Sequence, residues 1–125
     1  MIDFKSLRVI VCVLSVLLIM SCEDVVFLED ISEDTITVLA PADGAQVINS
    51  NVNFNWEGIE GASGYKLQVA EPNFEQANQI VVDTIASTIS FFSILPSGDY
   101  EWRIKGINDS YQTEYSIQSF KVIED

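Results

Sequence analysis

A chain of 125 residues, 48% of them hydrophobic, has enough material for one packed domain and too little for two. It has no histidine, which leaves neutral-pH acid–base work to a perturbed carboxylate and removes the commonest metal ligand. Nineteen carboxylates against six cations give a net charge of −13, a poor match for nucleic acid or anionic headgroups.

The chain opens with Lys5 and Arg8, then an apolar run from Val9 to Met20 that ends at Ile19-Met20-Ser21-Cys22 and meets Glu23-Asp24 at once. Cations followed by an apolar segment shorter than the ~20 residues of a membrane-spanning helix have the order of a secretory signal. The tetrapeptide resembles the lipobox of bacterial lipoproteins. That resemblance implies cleavage between Ser21 and Cys22, a diacylglycerol on the Cys22 thiol and another acyl chain on the new amino group. Each buried methylene contributes about 0.8 kcal/mol, so several chains hold a protein on a membrane far more firmly than one. Residues 1–21 are then a signal peptide that takes Cys12, Lys5, Arg8 and Asp3 with it. What remains is 104 residues with four cations and eighteen carboxylates, a net charge of −14. No second cysteine is left for a disulfide, so the exported fold stands on its core alone. The acids directly after Cys22 resemble the surface-export signals of lipoproteins in some Gram-negative bacteria, which points to the outer membrane and its outward face.

Residues 22–35 read as a lipidated acidic tether. Three acidic pairs, Glu23-Asp24, Glu29-Asp30 and Glu33-Asp34, punctuate a stretch with no turn chemistry and no period. Thirteen such residues reach at most about 45 Å when stretched. Val25 to Leu28 is a short apolar patch suited to the lipid surface or to docking on the domain.

From residue 36 the pattern has period two, the mark of strands half-buried against a core. Val52, Phe54 and Trp56 alternate with Asn51, Asn53 and Asn55. Tyr65, Leu67 and Val69 alternate with Lys66 and Gln68, and Tyr100, Trp102 and Ile104 with Glu101, Arg103 and Lys105. Phe120 and Val122 flank Lys121, and shorter candidates cover 36–39, 45–48, 80–84 and 88–92. Turn signals separate them at Pro41-Ala42-Asp43-Gly44, Gly58 to Gly64, Pro72-Asn73, Pro96-Ser97-Gly98 and Asn108-Asp109-Ser110. Phe74 to Asn78 has room for one helical turn. The sum is an all-β sandwich of about seven strands over residues 36–125.

The stretch Phe54-Asn55-Trp56 with Gly61-Ala62-Ser63-Gly64-Tyr65-Lys66-Leu67-Gln68-Val69 resembles strand B, the B–C loop and strand C of fibronectin type III domains, an immunoglobulin-like fold. Leu95-Pro96-Ser97-Gly98-Asp99-Tyr100-Glu101-Trp102-Arg103-Ile104 resembles the family's E–F turn and strand F. The resemblance implies a tyrosine corner at Tyr100, whose hydroxyl bonds to backbone upstream. No cysteine pair joins the sheets, unlike an antibody domain, and strand C′ could join either sheet. Trp56, Tyr65, Leu67, Leu95, Tyr100 and Trp102 supply the large core side chains, each contributing about 1.5–3 kcal/mol on full burial.

Chemistry is sparse. Glu57, Glu60, Asp83, Asp99 and Glu101 form no spacing motif for paired-carboxylate catalysis, and no Asp-x-Asp-x-Asp-Gly loop offers a calcium site. The expectation is no enzyme, no cofactor and no metal. Loop tyrosines Tyr111 and Tyr115 are the candidate ligand contacts, able to stack on a sugar or meet a protein hot spot. The plainer alternative packs Tyr115 on the sheet and leaves Tyr111 capping the loop. Phe74 and one of Phe91 and Phe92 are further exposed-aromatic candidates, since adjacent strand residues face opposite ways. Asp34-Thr35-Ile36 and Asp83-Thr84-Ile85 resemble an O-glycosylation sequon of some Gram-negative bacteria, making Thr35 and Thr84 candidate acceptors. The expected role is an outer-membrane lipoprotein that acts as a non-catalytic binding or scaffold subunit with an envelope protein partner. The alternative is surface glycan binding.

Overall fold

The computed structural model describes residues 3–18 and 27–124. Ser21 and Cys22 lie outside the described residues. The helix α1 (Phe4–Leu18) carries the described part of the apolar N-terminal run. No described helix is long and apolar enough to cross a membrane.

Eight strands follow: β1 (Val38–Ala40), β2 (Ala45–Ile48), β3 (Asn51–Trp56), β4 (Gly64–Glu71), β5 (Gln79–Ala86), β6 (Ser90–Ile94), β7 (Gly98–Ile107) and β8 (Ser116–Ile123). They form a three-stranded sheet, β1-β3-β6, and a five-stranded sheet, β2-β8-β7-β4-β5. The chain changes sheets between β1 and β2, so that β2 runs parallel to β8 while every other pair is antiparallel. The crossing is made by Pro41 to Gly44, as the turn signal there predicts. Gly44 takes φ +80° and donates its amide to the Ser119 carbonyl at 2.7 Å. Asp43 accepts the Ser119 amide at 2.8 Å, and the buried Trp102 indole donates to the Pro41 carbonyl at 3.0 Å.

The two inner faces close on the aromatic set read from the alternation. Phe54 meets Trp102 edge-on at 5.0 Å and Phe120 at 5.7 Å, Trp56 meets Tyr65 at 5.6 Å, and Tyr100 stacks on Phe120 at 5.4 Å. All six large residues named from the sequence are buried. Strand β5, the C′ equivalent, joins the five-stranded sheet, because the β4–β5 hairpin pairs from Tyr65↔Ala86 to Glu71↔Gln79 with one irregularity between Val69 and Ala70.

Two expectations change, and one, the split of Phe91 and Phe92 between opposite faces, holds. Residues 73–78 form a turn rather than a helical one: the Asn73 side chain accepts the Gln76 amide at 2.7 Å. Phe91 packs against the core and Phe92 is 56% exposed, so β6 needs no kink to place them. The packed region also begins before residue 36. Ile31 is fully buried, and the Asn108 carboxamide donates to the carbonyls of Glu29 (2.9 Å) and Gly61 (3.0 Å). Of the apolar patch Val25 to Leu28, Phe27 is 88% and Leu28 39% exposed, and Val25 and Val26 lie outside the described residues. A single isoleucine among acids has no period to betray it, and the extended tether expected over residues 22–35 is shorter than that at its C-terminal end.

Candidate functional site: a cationic sheet face

Beyond the helix the chain has four cations, Lys66, Arg103, Lys105 and Lys121. Strand register puts all four on the outer face of the five-stranded sheet. On β7 the inward residues Tyr100, Trp102 and Ile104 are buried, which turns Asp99, Glu101, Arg103 and Lys105 outward. The β4–β7 pairing sets Lys66 opposite Lys105 and Gln68 opposite Arg103, and the β7–β8 pairing sets Lys121 opposite Asp99. Lys121 reaches Asp99 at 3.5 Å, the one ion pair among the described residues.

The other three cations form a cluster without a described carboxylate partner. Arg103 gives two N–H groups, Nε at 2.9 Å and Nη2 at 2.7 Å, to Gln68 Oε1. Its guanidinium carbon rests 4.1 Å from the Phe74 ring centre and 4.4 Å from that of Tyr115. Lys105 Nζ sits 4.5 Å from the Tyr115 ring centre and donates to Gln112 Oε1 at 2.8 Å. Cation–π contacts of this kind contribute about 0.5–1 kcal/mol each at exposed sites. Glu101, on the same face, accepts the Phe74 amide at 3.1 Å. The result is a fixed guanidinium and two ammonium groups on neighbouring strands.

The residues singled out from the sequence scatter around this face. Tyr115 lies in it, half-buried beneath Arg103 and Lys105. Tyr111 sits apart at 38% exposure in the β7–β8 loop, where Asn108 Oδ1 accepts the amides of Ser110 (3.0 Å) and Tyr111 (2.7 Å). The two tyrosines differ in accessibility: Tyr111 is open to solvent, whereas Tyr115 lies under two cations. Phe74 is half-buried under the guanidinium rather than open to solvent. Tyr100 donates its hydroxyl to the Pro96 carbonyl at 2.6 Å. Burial, and secondarily the charge of Glu71, raises its phenol above the ordinary value of 10.0. Thr35 is exposed ahead of β1, whereas Thr84 is half-buried on β5.

A cavity of about 580 Å³ is an open groove at the other end of this sheet, lined by Gly44, Pro72, Asp99 and Lys121 among others. Among the described residues no three His, Cys, Asp or Glu side chains are placed to hold a metal.

No family model and no curated protein matches the chain. Solved structures do. A fibronectin type III domain from the human KIAA0970 protein superposes with TM-score 0.52 at 10% identity, over 71% of this chain and 73% of that one. The crystal structure of FN3tt gives 0.50 at 11% identity, over 70% and 96%. An engineered protein gives 0.54 at 13% identity over 71% of this chain, which spans only 20% of that larger one. At these identities the likeness speaks for the fold: a two-sheet β-sandwich of fibronectin type III architecture.

Proposed function

We propose that this chain is a lipid-anchored, non-catalytic binding or scaffold subunit of a cell-envelope assembly. The observation that carries the binding role is the Lys66–Arg103–Lys105 face, an ordered cationic surface on an otherwise acidic sandwich. The large aromatics are committed to the core, which leaves surface recognition rather than an enclosed active site as the available chemistry. The anchor reading rests on Ile19-Met20-Ser21-Cys22, with the lipid on Cys22 at the outer membrane, facing outward.

Two experiments test it. Affinity purification of the lipidated protein from gently solubilised membranes yields a stoichiometric protein partner if the chain is a subunit, and a partner-free protein if it is not. Cys22→Ser leaves the precursor uncleaved, and a normally processed soluble product would refute lipidation. The rival, glycan binding, draws on one observation, the exposure of Tyr111. It requires Tyr111→Ala with Tyr115→Ala to abolish retention on a polysaccharide gel.

A further inference from the structure

We infer that the Lys66–Arg103–Lys105 face docks an acidic polypeptide segment that also carries aliphatic side chains. The inference rests on reading the chain as a binding module and names the chemistry of its partner.

Three observations favour that occupant. The first is charge placement. Lys66 and Lys105 stand directly opposite one another, an arrangement that destabilises a strand pair, and Arg103 lies two residues from Lys105. Eighteen carboxylates were available to neutralise them, yet the one described ion pair is Lys121–Asp99. Repulsion is left standing where an incoming anion relieves it. The second is pre-organisation. Gln68, Phe74 and Tyr115 already hold the Arg103 side chain, so little rotamer freedom is lost when its remaining N–H groups meet a carboxylate.

The third observation selects polypeptide over acidic glycan. The strands on either side bracket the cations with aliphatic side chains: Ile117 of β8 opposite Arg103, 53% exposed, and Ile85 of β5 opposite Lys66, 64% exposed. An acidic peptide can present alkyl groups to both. A uronate polymer has none, and the rings on which it would stack carry the Arg103 guanidinium or Lys105 ammonium against them. In an extended strand alternate side chains repeat every ~6.8 Å, the same spacing that separates Arg103 from Lys105 along β7.

The test is fluorescence anisotropy on the full chain solubilised in a neutral detergent. The probe is a fluorescein-labelled peptide of three Asp-Val-Glu-Leu repeats, with an Asn-Val-Gln-Leu version and alginate in parallel. The acidic peptide binds, its affinity falls as salt rises, and the amide version does not bind. Lys66→Gln and Lys105→Gln each weaken binding about fivefold. Lys121→Gln, the same change in net charge at the far end of the sheet, leaves it within about 1.5-fold. The Lys66 side chain makes no described hydrogen bond, so its variant keeps the fold, which the urea midpoint verifies. The inference is overturned if the acidic peptide does not bind, or if Lys121→Gln weakens binding as much as Lys66→Gln. Alginate binding more tightly than the peptide with the same lysine dependence also overturns it, assigning the face to a polyuronate. Because the solubilised chain presents this face whether or not Cys22 carries lipid, failure of the anchoring reading leaves the outcome unchanged.

Discussion

Ile31→Ala decides whether the acidic segment before β1 is a free tether or part of the domain. The wild-type side chain is fully buried, against the Gly61 turn that also carries the Asn108 bond to Glu29. Removing three carbons at about 0.8 kcal/mol each forfeits about 2.4 kcal/mol of transfer free energy. A cavity adds to this, but the site lies at the rim of the sandwich, where Glu29 and Ile31 can settle toward the turn, so the total is about 2–3 kcal/mol. For a domain this size that lowers the urea midpoint by about 1–2 M and the melting temperature by about 10 °C or more. Trp56 and Trp102, both fully buried, report the transition by fluorescence. Phe27→Ala, at a position 88% exposed, serves as the control and shifts stability by less than about 0.5 kcal/mol. An Ile31→Ala change equally small would show that the segment does not pack on the sandwich, and the expected tether would regain its full length.

Three further outcomes follow from particular contacts. Gly61→Ala costs about 1–2 kcal/mol, because Gly61 holds φ +89° and an added Cβ would sit 2.8 Å from Glu29 Cβ. Deleting residues 1–32 removes the clash and leaves only the conformational part, which thermal melts of the paired variants separate. Tyr100→Phe loses the 2.6 Å bond to Pro96 and about 1 kcal/mol in urea unfolding at neutral pH. The raised phenol pKa also gives a pH signature: the neutral form is favoured in the fold, so its contribution is complete below 10.0 and is lost as pH rises through the higher folded value. The wild type therefore loses stability in that alkaline window more steeply than Tyr100→Phe does. Lys121→Gln changes stability by less than about 0.5 kcal/mol, since its pair with Asp99 spans 3.5 Å between side chains 52% and 67% exposed.

The half-buried strands were legible because their alternation is unbroken. In β3, β4 and β7 each apolar parity reads straight into the core, and the large residues it names are the ones that pack. Strand β5 was ambiguous for the opposite reason. Ile80, Val81, Val82 and Ile85 put apolar side chains on both parities, so no face announces itself and only the hairpin with β4 assigns the sheet. The Phe91–Phe92 choice likewise needed register: Phe91 pairs with Phe54, an inward residue, and Phe92 with Asn53, an outward one. Ile31 carried no local signal, because what buries it is a loop thirty residues on and an asparagine from the β7–β8 loop.

The cationic face was half visible in the sequence. Parity along β7 already sets Arg103 and Lys105 on one side, but sequence has no means to place Lys66 across from Lys105 or Gln68 beside Arg103. That takes the β4–β7 register. Once placed, the cluster conflicts with what stability alone would choose. Solubility is served by the acidic surface anywhere, and a cation gains most beside one of the many carboxylates, as Lys121 does beside Asp99. Setting three cations together forgoes that gain and adds cross-strand repulsion, against which two aromatic rings and a glutamine return only local contacts. A surface that breaks a local rule while its surroundings hold it rigid is where function is to be sought. Here the broken rule is electrostatic, so the missing component is an anion.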